Sequence, residues 1–198
     1  MNFETVTKFE QALAEYFGAP FAVATDCCTH AIELCIRHRS PVHVLCPTHT
    51  YISVPFTLEK THTKWGWIDR KWNDYYFLES TDIIDAAVHW KANGYFPNSL
   101  MCLSFQFKKP LNLGRGGAIL CSSAGDYAAL KAMSYDGRYN NTLPWAKQKI
   151  HTIGYHYYMT PETAQIGLDK LPTVTKDRNW SWKDYPDLRN MPVFNKSM

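Results

Sequence analysis

Lys109 is the residue best placed to do chemistry. It lies in Ser104-Phe105-Gln106-Phe107-Lys108-Lys109-Pro110-Leu111-Asn112-Leu113-Gly114-Arg115-Gly116-Gly117-Ala118. A short apolar strand, Met101 to Phe105, precedes it, and a glycine turn leads on to a second, Ala118 to Cys121. A loop fixed at both ends by strands holds its side chains still. A free lysine has a pKa near ~10.4 and is mostly protonated at neutral pH. Enclosure can strip that proton and turn the amine into a nucleophile for carbonyls. Asp85 is the natural second group. It closes the apolar run Asp82-Ile83-Ile84-Asp85-Ala86-Ala87, which reads as a buried strand. A carboxylate at the carboxyl end of a strand in an open α/β sheet points into the usual ligand crevice.

Two upstream segments have the chemistry to hold a ligand. Phe21 to Thr25 reads as a strand, and a helix is expected from Thr29 onward. A helix start offers free backbone N–H groups and a partial positive charge, which suit a phosphate. Cys46-Pro47-Thr48-His49-Thr50-Tyr51-Ile52-Ser53 follows another short strand and precedes a helix opening near Ser53-Val54-Pro55. Tyr51 is either a core aromatic or a ring that stacks on a flat ligand, a contact worth roughly 0.5–1.5 kcal/mol beyond burial.

Together these segments resemble the DegT/DnrJ/EryC1/StrS family of pyridoxal-phosphate aminotransferases, which act mainly on nucleotide-linked keto-sugars. Ser104-Phe105, Lys109 and Gly114-Arg115-Gly116-Gly117-Ala118 follow that family's lysine loop position for position. The resemblance implies that Lys109 forms the Schiff base with the cofactor aldehyde. It implies that Asp85, about two dozen residues upstream, keeps the pyridine nitrogen protonated so that the ring accepts electrons. Cys28, Thr29, His30 and Ser104 would hold the phosphate, and Tyr51 would stack on the ring. His156 stands where the family carries an Asn that reaches the neighbouring subunit's phosphate, and a histidine can still donate one hydrogen bond there. The implied protein is a homodimer with a shared active site, moving an amino group from a small amino-acid donor to a keto acceptor. The alternative is a cofactor-binding or interaction module without turnover.

Departures from the family pattern are specific. Cys28 replaces a glycine, His30 a small residue and Tyr158 an arginine. Val88 stands where a polar residue would bond the cofactor's phenolic oxygen, with His89 next to it, and Arg115 stands in place of a glutamate. Between Asp69 and Asp82, where the family places a helix, a strand and another helix, there are only polar residues and Tyr75-Tyr76-Phe77-Leu78. The family's small C-terminal domain has no counterpart after Leu171. The expected organisation is a shortened cofactor-binding domain over residues 1–171 and a Trp- and Pro-punctuated tail over 172–198, lying on a surface.

The elements that must position these groups suit an α/β fold. Val6, Phe9, Leu13, Tyr16 and Phe17 recur at helical spacing, with Gly18 as C-cap. Apolar strands then alternate with helical stretches, Asp126 to Met133 and Pro161 to Leu171 among them, and Thr160-Pro161 is a clean helix start. The alternation predicts a three-layer α/β/α arrangement around a mostly parallel sheet, a truncated large domain of the fold-type I pyridoxal-phosphate transferases by resemblance. With 198 residues, 45% of them hydrophobic, one domain with a sizeable core is expected. A net charge of +3 without a basic cluster argues against nucleic acid, and no stretch is apolar enough to span a membrane. The six cysteines fall mostly in apolar runs and read as buried free thiols of a cytoplasmic protein. The eight histidines show no metal-ligand spacing.

Overall fold

Apolar residues at helical spacing build the first helix, α1 (Glu4–Phe17). Val6, Phe9, Leu13 and Phe17 are buried along one stripe, each side chain contributing roughly 1.5–3 kcal/mol. Gly18 ends the helix at φ 70°, the left-handed conformation that favours glycine, and its N–H bonds Glu15 O at 3.2 Å. The computed structural model describes residues 3–139, 143–176 and 178–195.

The chain continues through β1 (Phe21–Thr25), α2 (Cys28–Arg39), β2 (Val44–Pro47), α3 (Ser53–Lys60) and β3 (Trp65–Ile68). It then runs through β4 (Tyr76–Phe77), β5 (Ile83–Asp85), β6 (Leu100–Ser104), β7 (Gly117–Cys121), α4 (Ala124–Ser134) and α5 (Pro161–Lys170). The main sheet has the order β1-β7-β6-β5-β4, and β2 and β3 form a parallel pair. β5 and β6 are parallel, while β7 runs against both β1 and β6 and β4 runs against β5. β1, β5 and β6 therefore share one direction. An antiparallel bridge between Leu45 and Glu79 links β2 to the residues after β4 and gives β2 and β3 that direction too. Most strands are thus co-directed, with β4 and β7 reversed. β4 fills the interval between Asp69 and Asp82, where the resemblance implies a strand between two helices.

Side chains alternate across the sheet with period two. Leu100 and Cys102 of β6 and Ile119 and Cys121 of β7 join one core cluster with α2, α3 and α4. Met101 and Leu103, Ala118 and Leu120 join the other with α1 and α5. Helices therefore cover both faces, the expected three layers. α1 meets α5 closely because Gly167 has no side chain, and a Cβ there would sit 2.5 Å from the Phe9 ring. Glu10, 3% exposed, ties α1 to its neighbours: it accepts from Ala24 N at 2.8 Å and from Lys131 Nζ at 2.6 Å. Thr160 caps α5, its Oγ1 accepting from Thr163 N at 3.3 Å.

The tail docks on its own chain. Trp182 N–H donates to Trp72 O at 3.1 Å, Asp74 N–H to Trp180 O at 2.8 Å and Leu188 N–H to Thr48 O at 2.9 Å. Leu188 is buried, and Trp180, Trp182 and Tyr185 pack against the α2 side of the core.

Candidate active site

The carboxyl ends of β5, β6 and β2 bring the candidate residues together. β5 ends at Asp85, which is 7% exposed. Ala87 N–H donates to its Oδ1 at 2.9 Å, and the Tyr76 hydroxyl of β4 donates to its Oδ2 at 2.6 Å. The Thr50 hydroxyl lies against that phenol on its far side. Burial pushes the Asp85 carboxyl above its ordinary range, against the pull of Tyr76, the Ala87 amide and Lys109.

Lys109 follows β6 on a loop closed at its base. Phe105 N–H bonds Gly116 O at 2.9 Å, Leu113 N–H bonds Phe105 O at 2.9 Å, and Leu111 is fully buried beneath. Lys109 N–H bonds Gln106 O at 2.8 Å, a local turn that aims the side chain back over the sheet end. Burial pulls the ammonium below its ordinary range, while the fields of Asp85 and Cys28 oppose it. Lys108 is exposed, and its amine lies over the Phe107 ring. The structure thus distinguishes the adjacent lysines: one is partly buried within the field of the Asp85 carboxylate, the other faces water.

α2 begins at Cys28 after an extended Cys27. Its first-turn N–H groups have no acceptor within the helix. Gly117 lets β7 approach this end: a Cβ there would stand 2.5 Å from Cys27 C and Cys28 N. Thr29 Oγ1 shares a 2.8 Å hydrogen bond with Ser53 Oγ. His30 stacks on Tyr157, ring centres 3.7 Å apart, and its Nδ1 lies 2.7 Å from Asp26 Oδ1. Burial pulls the His30 imidazole down, but the Asp26 bond and Cys27 together push it up to about 9. Arg115 completes the group, its Nη2 donating to Asp26 Oδ2 at 2.7 Å. That pair accounts for the arginine in the glycine turn: it answers the carboxylate of Asp26. Burial pushes the Cys28 thiol far up, with Asp85 adding to it, so Cys28 is a neutral filler beside the helix start.

The remaining candidates divide. Ser104 ends β6, and Gln106 N–H reaches its Oγ at 3.5 Å. Tyr51 is 60% exposed at the edge of the loop after β2. His156 lies outside the Lys109–Asp85 group, its Nδ1 3.0 Å from Asp136 Oδ2 and its Nε2 3.1 Å from the Tyr158 hydroxyl. Val88 is buried in the core and His89 Nε2 turns to Gly94 O at 3.1 Å, so neither offers a polar group toward Asp85. Asp26, Cys27 and His30 place one ligand atom each within 4.8 Å of one another, a cluster absent from the sequence reading. Arg115 and the protonated imidazole already saturate Asp26, which suits an anion better than a cation.

Several residues at the site were not singled out in the sequence. Tyr76 and Thr50 form the hydrogen-bonded backing of Asp85. From the tail, Tyr185 O lies 2.8 Å from His49 Nδ1, and the Trp180 ring centre lies 5.5 Å from Lys109 Nζ. Burial raises the Tyr185 phenol well above its ordinary range, with the field of Asp85 the next cause. The one signal for these was the density of aromatics between Trp180 and Tyr185 in a polar segment.

The donor set fits pyridoxal phosphate. An enclosed amine answers an aldehyde, a buried carboxylate answers a pyridinium nitrogen, and an open helix start flanked by His30 and Arg115 answers a phosphate. Among the described residues no helix is long and apolar enough to cross a membrane.

Comparisons agree with this arrangement. A search of curated proteins finds no match. Among solved structures, the chain is similar to 3-amino-5-hydroxybenzoic acid synthase, with a TM-score of 0.73 at 19% identity over 86% of this chain and 56% of that one. It is similar to the sugar aminotransferase CalS13 of Micromonospora echinospora, with a TM-score of 0.68 at 15% identity, covering 85% of this chain and 60% of CalS13. The pyridoxal-phosphate form of Spr1654 from Streptococcus pneumoniae gives 0.69 at 16% identity, covering 86% and 59%. These likenesses establish the fold, and the chain spans less than two thirds of each structure. The family comparison goes further, matching residues 1–81 and 68–185 to the DegT/DnrJ/EryC1/StrS aminotransferase family. Nearly the whole described chain lies within those matches, and on them the protein belongs to the DegT/DnrJ/EryC1/StrS aminotransferase family.

Proposed function

We propose that the protein binds pyridoxal phosphate covalently through Lys109 and transfers an amino group from an amino-acid donor to a keto-sugar, a nucleotide-linked one by family resemblance. The observation that carries this is the pairing of an enclosed Lys109, its ammonium destabilised by burial, with the buried carboxylate of Asp85. Bound, the cofactor supplies an electron sink that stabilises negative charge on the substrate's alpha carbon.

The chain's own residues have separate roles. Lys109 Nζ gives up its proton readily because burial disfavours the ammonium, leaving a nucleophilic amine. With the cofactor bound, the same amine would be the base that takes and returns the alpha proton. The Asp85 carboxylate, its orientation fixed by the Tyr76 hydroxyl and Ala87 N–H, would hold a proton on the cofactor's ring nitrogen. The α2 start, Thr29, His30 and Ser104 hold the phosphate, and Arg115 adds positive charge beside it. Tyr51 would stack on the ring after swinging in from its exposed position. His156 would act on a partner's site in a homodimer, its exposed imidazole exchanging the Asp136 and Tyr158 contacts for the phosphate.

Reduction with borohydride tests this. Wild-type protein incubated with pyridoxal phosphate should retain the cofactor's mass on the peptide carrying Lys109. Lys109→Ala should abolish that mass and Lys108→Ala should keep it. Retention in both single variants would refute the assignment. A second reading, a binding or interaction module without turnover, is favoured by the tail's contact with the site. An amino donor that leaves the spectrum of the bound cofactor unchanged would select it.

A further inference from the structure

The segment from Arg178 to Leu188 has no role in the reaction above, yet it docks beside Lys109 and along the loop that carries Thr48 and His49. Trp180 covers the Lys109 amine at 5.5 Å, and Arg178 stacks on that indole with Cζ 3.6 Å from its centre. Arg178 is itself held by Asp184 at 3.0 Å. Tyr185 is partly buried on the Asp85 side of the tail, where the fields of Asp85 and, more weakly, Cys28 act on its phenol. Its ring packs against Trp72 at 5.4 Å, and Trp72 packs against Tyr76, the Asp85 donor, at 5.1 Å. The backbone is pinned on both sides of these rings: to Asp74 and Trp72 at Trp180 and Trp182, to His49 at Tyr185 and to Thr48 at Leu188. Thr48 and His49 belong to the same loop as Tyr51. The tail thus grips the loop that would stack on the cofactor, and Tyr51 points outward.

We propose that residues 178–188 are an intramolecular plug: their aromatic side chains occupy the ground between Lys109, Asp85 and the α2 start, and pyridoxal phosphate must displace them to bind. This rests on the cofactor reading above. It assigns the tail an inhibitory role, and it makes occupancy of the site a competition between the chain's own rings and the cofactor ring. The indole N–H of Trp180 is buried without a hydrogen-bond partner. An aromatic group docked with its polar atom unanswered is held less firmly than a satisfied one, as a displaceable plug requires. A cover that closes over bound cofactor would act with the opposite sign, and the experiment separates the two.

The double variant Trp180→Ala/Tyr185→Ala keeps the backbone bonds and Leu188, and so the docking of the tail. Its Lys109 should be acylated by an amine-specific reagent at least 5-fold faster than in the wild type, with Lys108 as internal reference, read by peptide mass without cofactor. Half-saturation by pyridoxal phosphate, read by borohydride trapping, should fall at least 5-fold. In the wild-type chain, pyridoxal phosphate should speed hydrogen exchange at the Trp182 and Leu188 amides. Unchanged acylation of Lys109 overturns the plug, as does weaker cofactor binding by the variant or slower exchange with cofactor. Faster acylation with no trapping in either form upholds the shielding of Lys109 and refutes the cofactor reading instead. Should the double variant fail to fold, Trp180→Ala alone carries the same readouts, since that ring is the one over Lys109.

Discussion

The Tyr76 hydroxyl donates to Asp85 Oδ2 across 2.6 Å, with the Thr50 hydroxyl behind it. This bond joins the reversed strand β4 to the end of β5 and satisfies a carboxylate that is almost wholly removed from water. A buried acid without donors would be strongly disfavoured in its charged form. Tyr76 therefore sets both the orientation and the charge of the group assigned to the cofactor's ring nitrogen.

Tyr76→Phe removes that donor and also the partner of the buried Thr50 hydroxyl. It should lower the unfolding free energy by about 1.5–3 kcal/mol, the usual value of a hydrogen bond to a charged group. It should also raise the Asp85 carboxyl further. Urea denaturation at neutral pH measures the first, and wild-type stability in the variant would contradict the arrangement.

Gly117→Ala forces a Cβ to within 2.5 Å of the Cys27–Cys28 peptide. Backbone cannot retreat as a flexible side chain can, so β7 or the start of α2 must shift. The expected cost is about 1–3 kcal/mol. Pyridoxal-phosphate retention should fall by more than stability predicts, because the shifted helix start is the phosphate cradle. The control is Gly114→Ala, where nothing lies within 4 Å of the added carbon, although its φ of +77° strains an alanine. Stability should drop there while retention is kept.

His30 makes stability depend on pH above neutrality. Its folded value, about 9, lies above an unfolded value near ~6.5. The protonated form is therefore favoured by folding. Its contribution is complete below about pH 6.5 and is lost as pH rises through the folded value. The denaturation midpoint should decline across that window, and His30→Gln should flatten the decline. An imidazole resonance that titrates near 6.5 by NMR would remove the basis for this.

Arg115→Glu restores the residue that the family pattern carries, and it should harm this protein. The new carboxylate would face Asp26, whose present partner is the guanidinium at 2.7 Å. Because Arg115 is largely exposed, the loss in stability should be no more than about 1 kcal/mol. The His30 midpoint should rise above its present value, since a cation is replaced by an anion. With Asp26→Asn, which removes the facing carboxylate, the penalty of Arg115→Glu should shrink, measured as a double-mutant cycle.

Local sequence determined the elements and their faces. The stripe Val6, Phe9, Leu13 and Phe17, the cap at Gly18 and the Thr160-Pro161 start were legible because helix periodicity and capping act over a few residues. The strand ending at Asp85 and the loop carrying Lys109 were legible for the same reason, and their likeness to a family pattern supplied the chemistry. Tertiary structure alone decided which groups meet. Tyr76 and Asp85 are neighbours across an antiparallel pair whose register no local signal specifies. The answer of Arg115 to Asp26 spans 89 residues of sequence, and charge complementarity at that separation leaves no trace in spacing. The tail looked like a polar surface segment because its rings are spread among lysines and aspartates. Only the folded chain shows the Trp180 ring over Lys109 and Trp182 and Tyr185 packed against the core, where apolar burial outweighs the polarity of the residues between them.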